Sequence, residues 1–297
     1  MPPSTDSHQD QPLAPGLYLV ATPIGNLEDI TLRALRILRS ADRIACDDTR
    51  QTQKLLNHFG ITTPTVSYHM HNEGSRSEEL TEALKQGARI AVVSDAGTPG
   101  IADPGGQIAA AAIAAGIPVF PIPGANAAIS GLIASGLPTE NFTFHGFRPS
   151  KAGQRKTFLE QIPPTTETTH IFYETPHRIL EALTDIEAVF GPTQPVVIAR
   201  ELTKLHEEFL RGPASQLRTE LAGRPAIRGE IVLMLAPTKH EAAAKRTTIA
   251  EEVAALMHSE NLTEKDALKR VARDRGIGKS EAYRELQREQ NRLRSIF

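Results

Sequence analysis

In Leu17-Tyr18-Leu19-Val20-Ala21-Thr22-Pro23-Ile24-Gly25-Asn26-Leu27-Glu28-Asp29, a short apolar run passes through a Pro/Gly turn. An amphipathic stretch, Thr31–Ser40, follows it. Strand, turn and helix in that order make one βα unit. The unit recurs. Ile44–Cys46 leads into Thr49–His58, Arg89–Ser94 leads through a glycine-rich loop into Gly106–Ala115, and Pro118–Pro121 leads into Ala125–Ser135. Repeated βα units predict a mainly parallel sheet covered by helices.

The pattern then resets. Phe142–His145, Thr169–Tyr173, Pro195–Arg200, Glu207–Arg211 and Glu230–Leu235 read as strands, and Gln154–Gln161, Pro176–Val189 and Ala214–Ala222 read as helices. Strands outnumber helices here, which predicts a second, mixed sheet. Pro121, Pro123 and Pro138 cluster at the changeover, so we expect one α/β domain over 16–122 and another over 123–240. After Pro237 the chain becomes helical, with candidates at Ile249–His258, Glu264–Asp274 and Ser280–Leu293. Gly276-Ile277-Gly278-Lys279-Ser280 between the last two gives the 241–297 segment a helix-turn-helix-like outline. Thr263 and Ser280 are the expected helix caps.

Composition narrows the function classes. The apolar runs are far too short to span a bilayer, so no membrane partner is expected. Residues 1–15 are polar and proline-rich and read as a disordered tail, not a signal peptide. Cys46 is the only cysteine, which excludes an intrachain disulfide and any multi-cysteine metal site and fits a reducing cytoplasm. His69 and His71 show no ligand spacing and no H-E-x-x-H occurs, so no metal is expected. Net charge is −2 overall, but residues 262–297 carry ten basic and six acidic groups. That basic segment hints at an anionic partner.

The candidate chemistry lies in loops at the carboxyl ends of strands, where open α/β sheets bind ligands. Ala21–Asp29 is neither a G-x-G-x-x-G fingerprint nor a P-loop. Ser94-Asp95-Ala96-Gly97-Thr98-Pro99-Gly100-Ile101-Ala102-Asp103-Pro104-Gly105-Gly106 combines glycines, which allow close backbone approach, with prolines that stiffen it. Asp95 is placed to accept hydrogen bonds from a ligand amine or ribose. Pro121-Ile122-Pro123-Gly124-Ala125-Asn126-Ala127-Ala128 puts small residues at a helix start, leaving N–H groups open to a carboxylate. In the second half, Phe172–Arg178 and Ala199–Glu208 place mixed charges after strands, suited to proton transfer or phosphate binding.

Ala21–Leu27, Ser94–Gly105 and Tyr173–Arg178 together resemble the signatures of the small-subunit (16S) ribosomal RNA cytidine 2′-O-methyltransferases, a branch of the tetrapyrrole methylase family. Cys46–Arg50, His69–Glu73 and Arg200–Lys204 add to the likeness, which runs in order from about Gly16 to Leu235. The C-terminal helices are similar to the helix-turn-helix that often follows in this family. The resemblance implies two α/β domains with S-adenosylmethionine in the cleft between them, a homodimer, and a decoding-centre cytidine in 16S rRNA or the small ribosomal subunit as target. It implies that Pro23 and Gly25 line one wall, that Asp95, Gly97, Ile101 and Ala102 meet the ribose and methionine parts, and that Ala125 and Asn126 offer main-chain contacts. Tyr173, Ala199, Leu202 and Gly229 are implied to flank the adenine.

A ribose hydroxyl is a poor nucleophile near neutral pH, so a base is expected at the cleft mouth, with Asp29 and Glu201 the candidates. Arg50, Arg178 and Lys204 are the expected phosphate contacts. The rival readings are a tetrapyrrole (precorrin-type) C-methyltransferase, a non-catalytic ribosome-binding protein that keeps the cofactor fold, and a dinucleotide-dependent oxidoreductase. The missing G-x-G-x-x-G weighs against the last.

Overall fold

The computed structural model describes residues 12–163, 167–237, 249–260, 262–274, 278, 280 and 282–287. These group into two compact units, Met1–Thr238 and Lys239–Phe297. The regions expected as separate α/β domains, 16–122 and 123–240, thus fall almost wholly within one unit, and each supplies its own sheet.

The first sheet has the order β3-β2-β4-β1-β5 and is parallel throughout. Its strands are β1 (Gly16–Val20), β2 (Arg43–Cys46), β3 (Thr65–Ser67), β4 (Arg89–Val93) and β5 (Val119–Ile122). Side chains alternate between its faces, as the pleat requires. Tyr18, Val20, Ile44, Cys46, Ala91 and Val93 pack under helices α1 (Leu32–Ser40) and α2 (Thr49–His58). Leu17, Ala45, Ile90 and Val92 pack under α3 (Glu73–Lys85) and α4 (Gly106–Ala114). Thr31 and Asp48 cap α1 and α2 with their side-chain oxygens. Order begins before the first strand. Leu13 is buried in the first core and the Tyr18 hydroxyl donates to the Ala14 carbonyl at 2.6 Å, so the expected tail is docked from at least residue 13. Residues 1–11 lie outside the described residues.

The second sheet, β6-β7-β10-β8-β9, is mixed: only β6 and β7 run parallel. It comprises β6 (Phe142–Phe147), β7 (Thr169–Glu174), β8 (Pro195–Arg200), β9 (Glu208–Pro213) and β10 (Ile231–Leu235). One face, with Phe172, Ile198 and Leu233, packs under α6 (Ala152–Glu160), α7 (Ile179–Phe190) and α8 (Ala214–Ala222). The other, with Ile171, Val197, Ala199, Val232 and Met234, meets α5 (Ala127–Ser135) together with Ile24 and Leu202. Ile24 comes from the loop after β1, so this small core knits the two sheets together.

The strand β3 and the helix α3 are additions to the sequence reading. β3 has three residues, and α3 begins Glu-Gly-Ser-Arg-Ser, a weak helix-forming start. In the smaller unit, α9 (Ile249–Glu260) and α10 (Glu264–Asp274) share a core with Ala282 and Leu286. Thr263 accepts from the Asp266 amide at 3.3 Å and donates to its carboxylate at 2.7 Å, capping α10 as expected. Ser280 already has helical backbone, so it is not the flanking cap expected for the last helix. The remainder of the helix expected to Leu293, and most of the turn before it, lie outside the described residues.

Candidate active site

A cavity of about 290 Å³ opens at the carboxyl ends of β1 and β4, walled by both sheets. The first sheet supplies Ile24 and the loop after β4, and the second supplies Tyr173, Ala199, Leu202 and the β10 entry around Gly229. The Ser94–Gly106 loop is held at three places. Thr22 and Gly97 exchange backbone hydrogen bonds of 2.8 and 3.0 Å. Thr98 donates its hydroxyl to the Ala125 carbonyl at 3.1 Å. Buried Glu73 accepts from the Gly105 amide at 3.1 Å and from the Tyr68 hydroxyl at 2.9 Å. Burial beside that carboxylate pushes the Tyr68 phenol up to about 12.

Backbone strain concentrates here. Among the described residues the non-glycine residues with positive φ are Ala102 (60°), Glu201 (54°) and Thr203 (66°), all in loops at the cavity. Each such conformation costs about 1–2 kcal/mol, which is tolerated where it positions a site. Gly97, at φ 83°, is needed as glycine because a β-carbon there would press on Ile24 Cγ2 at 3.3 Å.

The lining mixes acidic, amide and aromatic groups. Asp95, Asp103, Glu174 and Glu230 supply carboxylates, and Asn126 and Ala127 bring the start of α5, whose first N–H groups carry partial positive charge. Asn126 accepts from the Ile129 amide at 3.1 Å and donates to Thr98 at 3.3 Å, which fixes that helix start. Tyr173 and Phe147 make an aromatic wall, their rings edge-to-face at 5.6 Å. A cavity that offers carboxylates, backbone amide donors and aromatic rings fits a zwitterionic amino acid joined to an aromatic base.

Of the residues expected at the cofactor, Asp95, Gly97, Ile101, Ala102, Asn126, Tyr173, Ala199, Leu202 and Gly229 line the cavity. Pro23, Gly25 and Ala125 stand beside lining residues and do not line it themselves. Gly25 instead lies against Lys204.

Neither expected base lines the cavity. Asp29 is exposed at the end of a single 3-10 turn, Leu27–Asp29, away from the cavity lining. Glu201 accepts from Lys204 Nζ at 2.8 Å and from the Glu230 amide at 3.0 Å, and those bonds hold its carboxyl below the usual range. A carboxylate so engaged is a poor proton acceptor. Lys204 also donates to Glu230 at 3.0 Å, so its ammonium is occupied. Arg178 donates to the carbonyls of Arg148 and Pro149 at 2.9 and 2.7 Å, tying down the chain after β6. Arg50 lies outside the cavity, in an open groove of about 470 Å³ with Gln53, Lys54 and Asn57. Among the described residues no cluster of His, Cys, Asp and Glu is arranged to hold a metal.

Asp103 and Phe147 are additions to the sequence reading. Asp103 lines the cavity, and burial, with Asp47 and Asp95 nearby, pushes its carboxyl up to about 6. The sequence offered two aspartates in one loop, and only the fold shows that Asp103 has the perturbed environment.

Comparison with known proteins matches this architecture. Residues 16–218 match the family of Tetrapyrrole (Corrin/Porphyrin) Methylases. The Ribosomal RNA small subunit methyltransferase I of Halalkalibacterium halodurans is 48% identical over 90% of this chain and 93% of its own length. The protein of that name from Bacillus subtilis is 44% identical over 90% and 92%. Among solved structures, uroporphyrin-III-C-methyltransferase from Thermus thermophilus superposes with a TM-score of 0.54 at 21% identity, over 74% of this chain and 93% of the other. Diphthine synthase gives 0.56 at 17% identity, over 74% and 89%. These structures share the fold. With two thirds of the chain matched by the family model and close relatives spanning nearly all of it, the chain belongs to the tetrapyrrole methylases and, within them, to the ribosomal RNA small subunit methyltransferase I family.

Proposed function

We propose that this protein transfers a methyl group from S-adenosylmethionine to the ribose 2′-hydroxyl of a decoding-centre cytidine in 16S ribosomal RNA. The observation that carries the reading is the cavity: one chamber built by both sheets and lined by carboxylates, a helix start and aromatic rings. When bound, S-adenosylmethionine supplies a methyl group already activated on a sulfonium. The protein's part is to hold and align. Asp95, Gly97, Ile101 and Ala102 receive the ribose and methionine portions, Asn126 the carboxylate, and Tyr173, Ala199, Leu202 and Gly229 the adenine. Alignment of two reactants is itself worth on the order of 7–11 kcal/mol.

The substrate side rests on charge. Helices α1 and α2 cover the same face of the first sheet and carry Arg33, Arg36, Arg39, Arg50, Lys54 and His58 with no acidic residue. On the opposite face, α3 carries four glutamates against Arg76 and Lys85. The basic layer reaches the cavity, because the Asp48 amide at the start of α2 donates to Asp95 at 3.0 Å. A phosphodiester chain lying along α2 would thus arrive at the methyl donor. Arg50 keeps its assigned contact to phosphate. Lys204 and Arg178 shape the protein instead.

We further propose that the enzyme works in the cytoplasm, as a homodimer. Among the described residues no helix is long and apolar enough to cross a membrane. The test is to incubate the protein with labelled S-adenosylmethionine and small ribosomal subunits from a strain lacking this enzyme, then map the label. Label on a single cytidine ribose supports the reading. No label on the RNA, or label on a base and not on a ribose, overturns it.

A further inference from the structure

With Asp29 outside the cavity lining and Glu201 bound to Lys204, the proposed reaction lacks a proton acceptor among the expected residues. The geometry points to Asp103 as the catalytic base, a role that rests on the methyl-transfer reading above. Three independent features converge on it. It lines the cavity directly, while Asp29 and Glu201 do not. It follows Ala102, whose left-handed backbone (φ 60°) turns the chain at this point, and precedes Pro104, which fixes the exit. It has no hydrogen-bonded cation: among the described residues no ion pair reaches it, whereas Glu174 and Glu230 of the lining are paired with Arg148 and Lys204, and Asp95 is engaged by the Asp48 amide at 3.0 Å.

Its surroundings suit the role. Burial comes first, and the like charges of Asp47, after β2, and Asp95, after β4, add to it and outweigh the opposing hydrogen bond from Ser94, so the carboxyl is pushed up to about 6. His69 and His71, after β3, face Asp47 and pull its carboxyl down. Across the cavity the Tyr173 phenol feels the Asp103 charge and is itself raised, chiefly by burial. A base matched to near-neutral pH takes a proton more effectively than an ordinary carboxylate two units lower. In the step, the ribose O2′ forms a bond to the methyl carbon as the carbon–sulfur bond breaks, its electron pair remaining on sulfur. The hydroxyl proton passes to an Asp103 carboxylate oxygen and is released to solvent on turnover. Charge and atoms balance without a further reactant.

The experiment compares the full-length parent with Asp103→Asn and Asp103→Glu. Single-turnover methyl transfer to small subunits is followed from about pH 4.5 to about pH 8. Donor and S-adenosylhomocysteine affinities are measured by calorimetry, and the Asp103 carboxyl is titrated by carbon NMR of labelled protein. Asp103→Asn is expected to slow transfer by about a hundredfold or more, with donor affinity within about threefold of the parent. The parent rate should fall with unit slope on the acid side, and Asp103→Glu should recover part of it. A carboxyl signal titrating near 6 should vanish in Asp103→Asn. Transfer by Asp103→Asn within about threefold of the parent, or loss of donor affinity in step with rate, overturns the assignment. Should the Asn variant fail to fold, a parent rate flat to the lowest pH overturns it equally. A parent that binds the donor yet methylates no RNA overturns the functional reading itself, and the assignment with it.

Discussion

Lys204 lies across Gly25: a β-carbon at position 25 would collide with Lys204 Cγ and stand 2.9 Å from Cε. Gly25 belongs to the turn after β1 and Lys204 to the loop after β8, so the contact joins the two halves of the cavity. Gly25→Ala must displace the lysine from Glu201 and Glu230. We expect a stability loss of about 1–2 kcal/mol in urea unfolding. In a Lys204→Ala background the same substitution should be nearly neutral. Additive losses would show that the contact is not what demands glycine.

Glu201 anchors that lysine. Glu201→Gln is expected to leave the maximal transfer rate within about threefold while raising the apparent KM for the methyl donor, because the β8–β9 loop loosens. A hundredfold fall in rate at saturating donor would restore Glu201 as a base.

His145 and His170 share a 2.9 Å hydrogen bond, and burial drives the His170 imidazole down to about 4. Unfolded histidine titrates near 6.5, so acid protonates the unfolded chain first. The contribution of this pair is complete above that value and disappears as pH falls toward about 4, a loss on the order of 3 kcal/mol. Denaturant curves at several pH values should show it, and His170→Gln should flatten the slope within that window. An unchanged slope assigns the acid sensitivity to other groups.

Arg148 and Glu174 are buried and bonded at 2.7 Å. Removing Arg148 leaves the buried Glu174 carboxylate only a longer, 3.6 Å pairing with Arg178. Arg148→Met should therefore cost about 3–5 kcal/mol, and Arg148→Met with Glu174→Gln markedly less. Thermal unfolding of the single and double variants checks the difference. Equal losses would show that packing of Arg148, not charge, matters.

On the basic layer, Arg33→Ala, Arg36→Ala, Arg50→Ala and Lys54→Ala combined should weaken subunit binding at least about tenfold. The slope of log affinity against log salt should become shallower by about 0.7–0.9 for each phosphate no longer neutralised. An unaltered slope would remove this face from the interface.

How much of this was legible in the sequence differs by element. The βα rhythm gave both sheets because strand alternation and helix spacing are local signals. β3 escaped because three residues carry too little pattern, and α3 because Gly74 and the serines mask its apolar side. The cavity loops were readable from their glycines and prolines. Roles inside them were not: the choice between Asp95 and Asp103, or the capture of Glu201 by Lys204, depends on distances that only chain packing sets. The acid-free helices α1 and α2 were in plain view, and their significance emerged once Ala34, Ile37 and Leu56 were seen in one core.

Cys46 sits at the end of β2 with no accessible surface, and burial raises its thiol. The chain therefore comes as a nearly silent background for sulfhydryl chemistry. A cysteine introduced at Leu205, 93% exposed beside Lys204, would take up a maleimide dye or spin label alone. Movement of that loop as the chamber fills then becomes a spectroscopic signal, available without rebuilding the rest of the molecule.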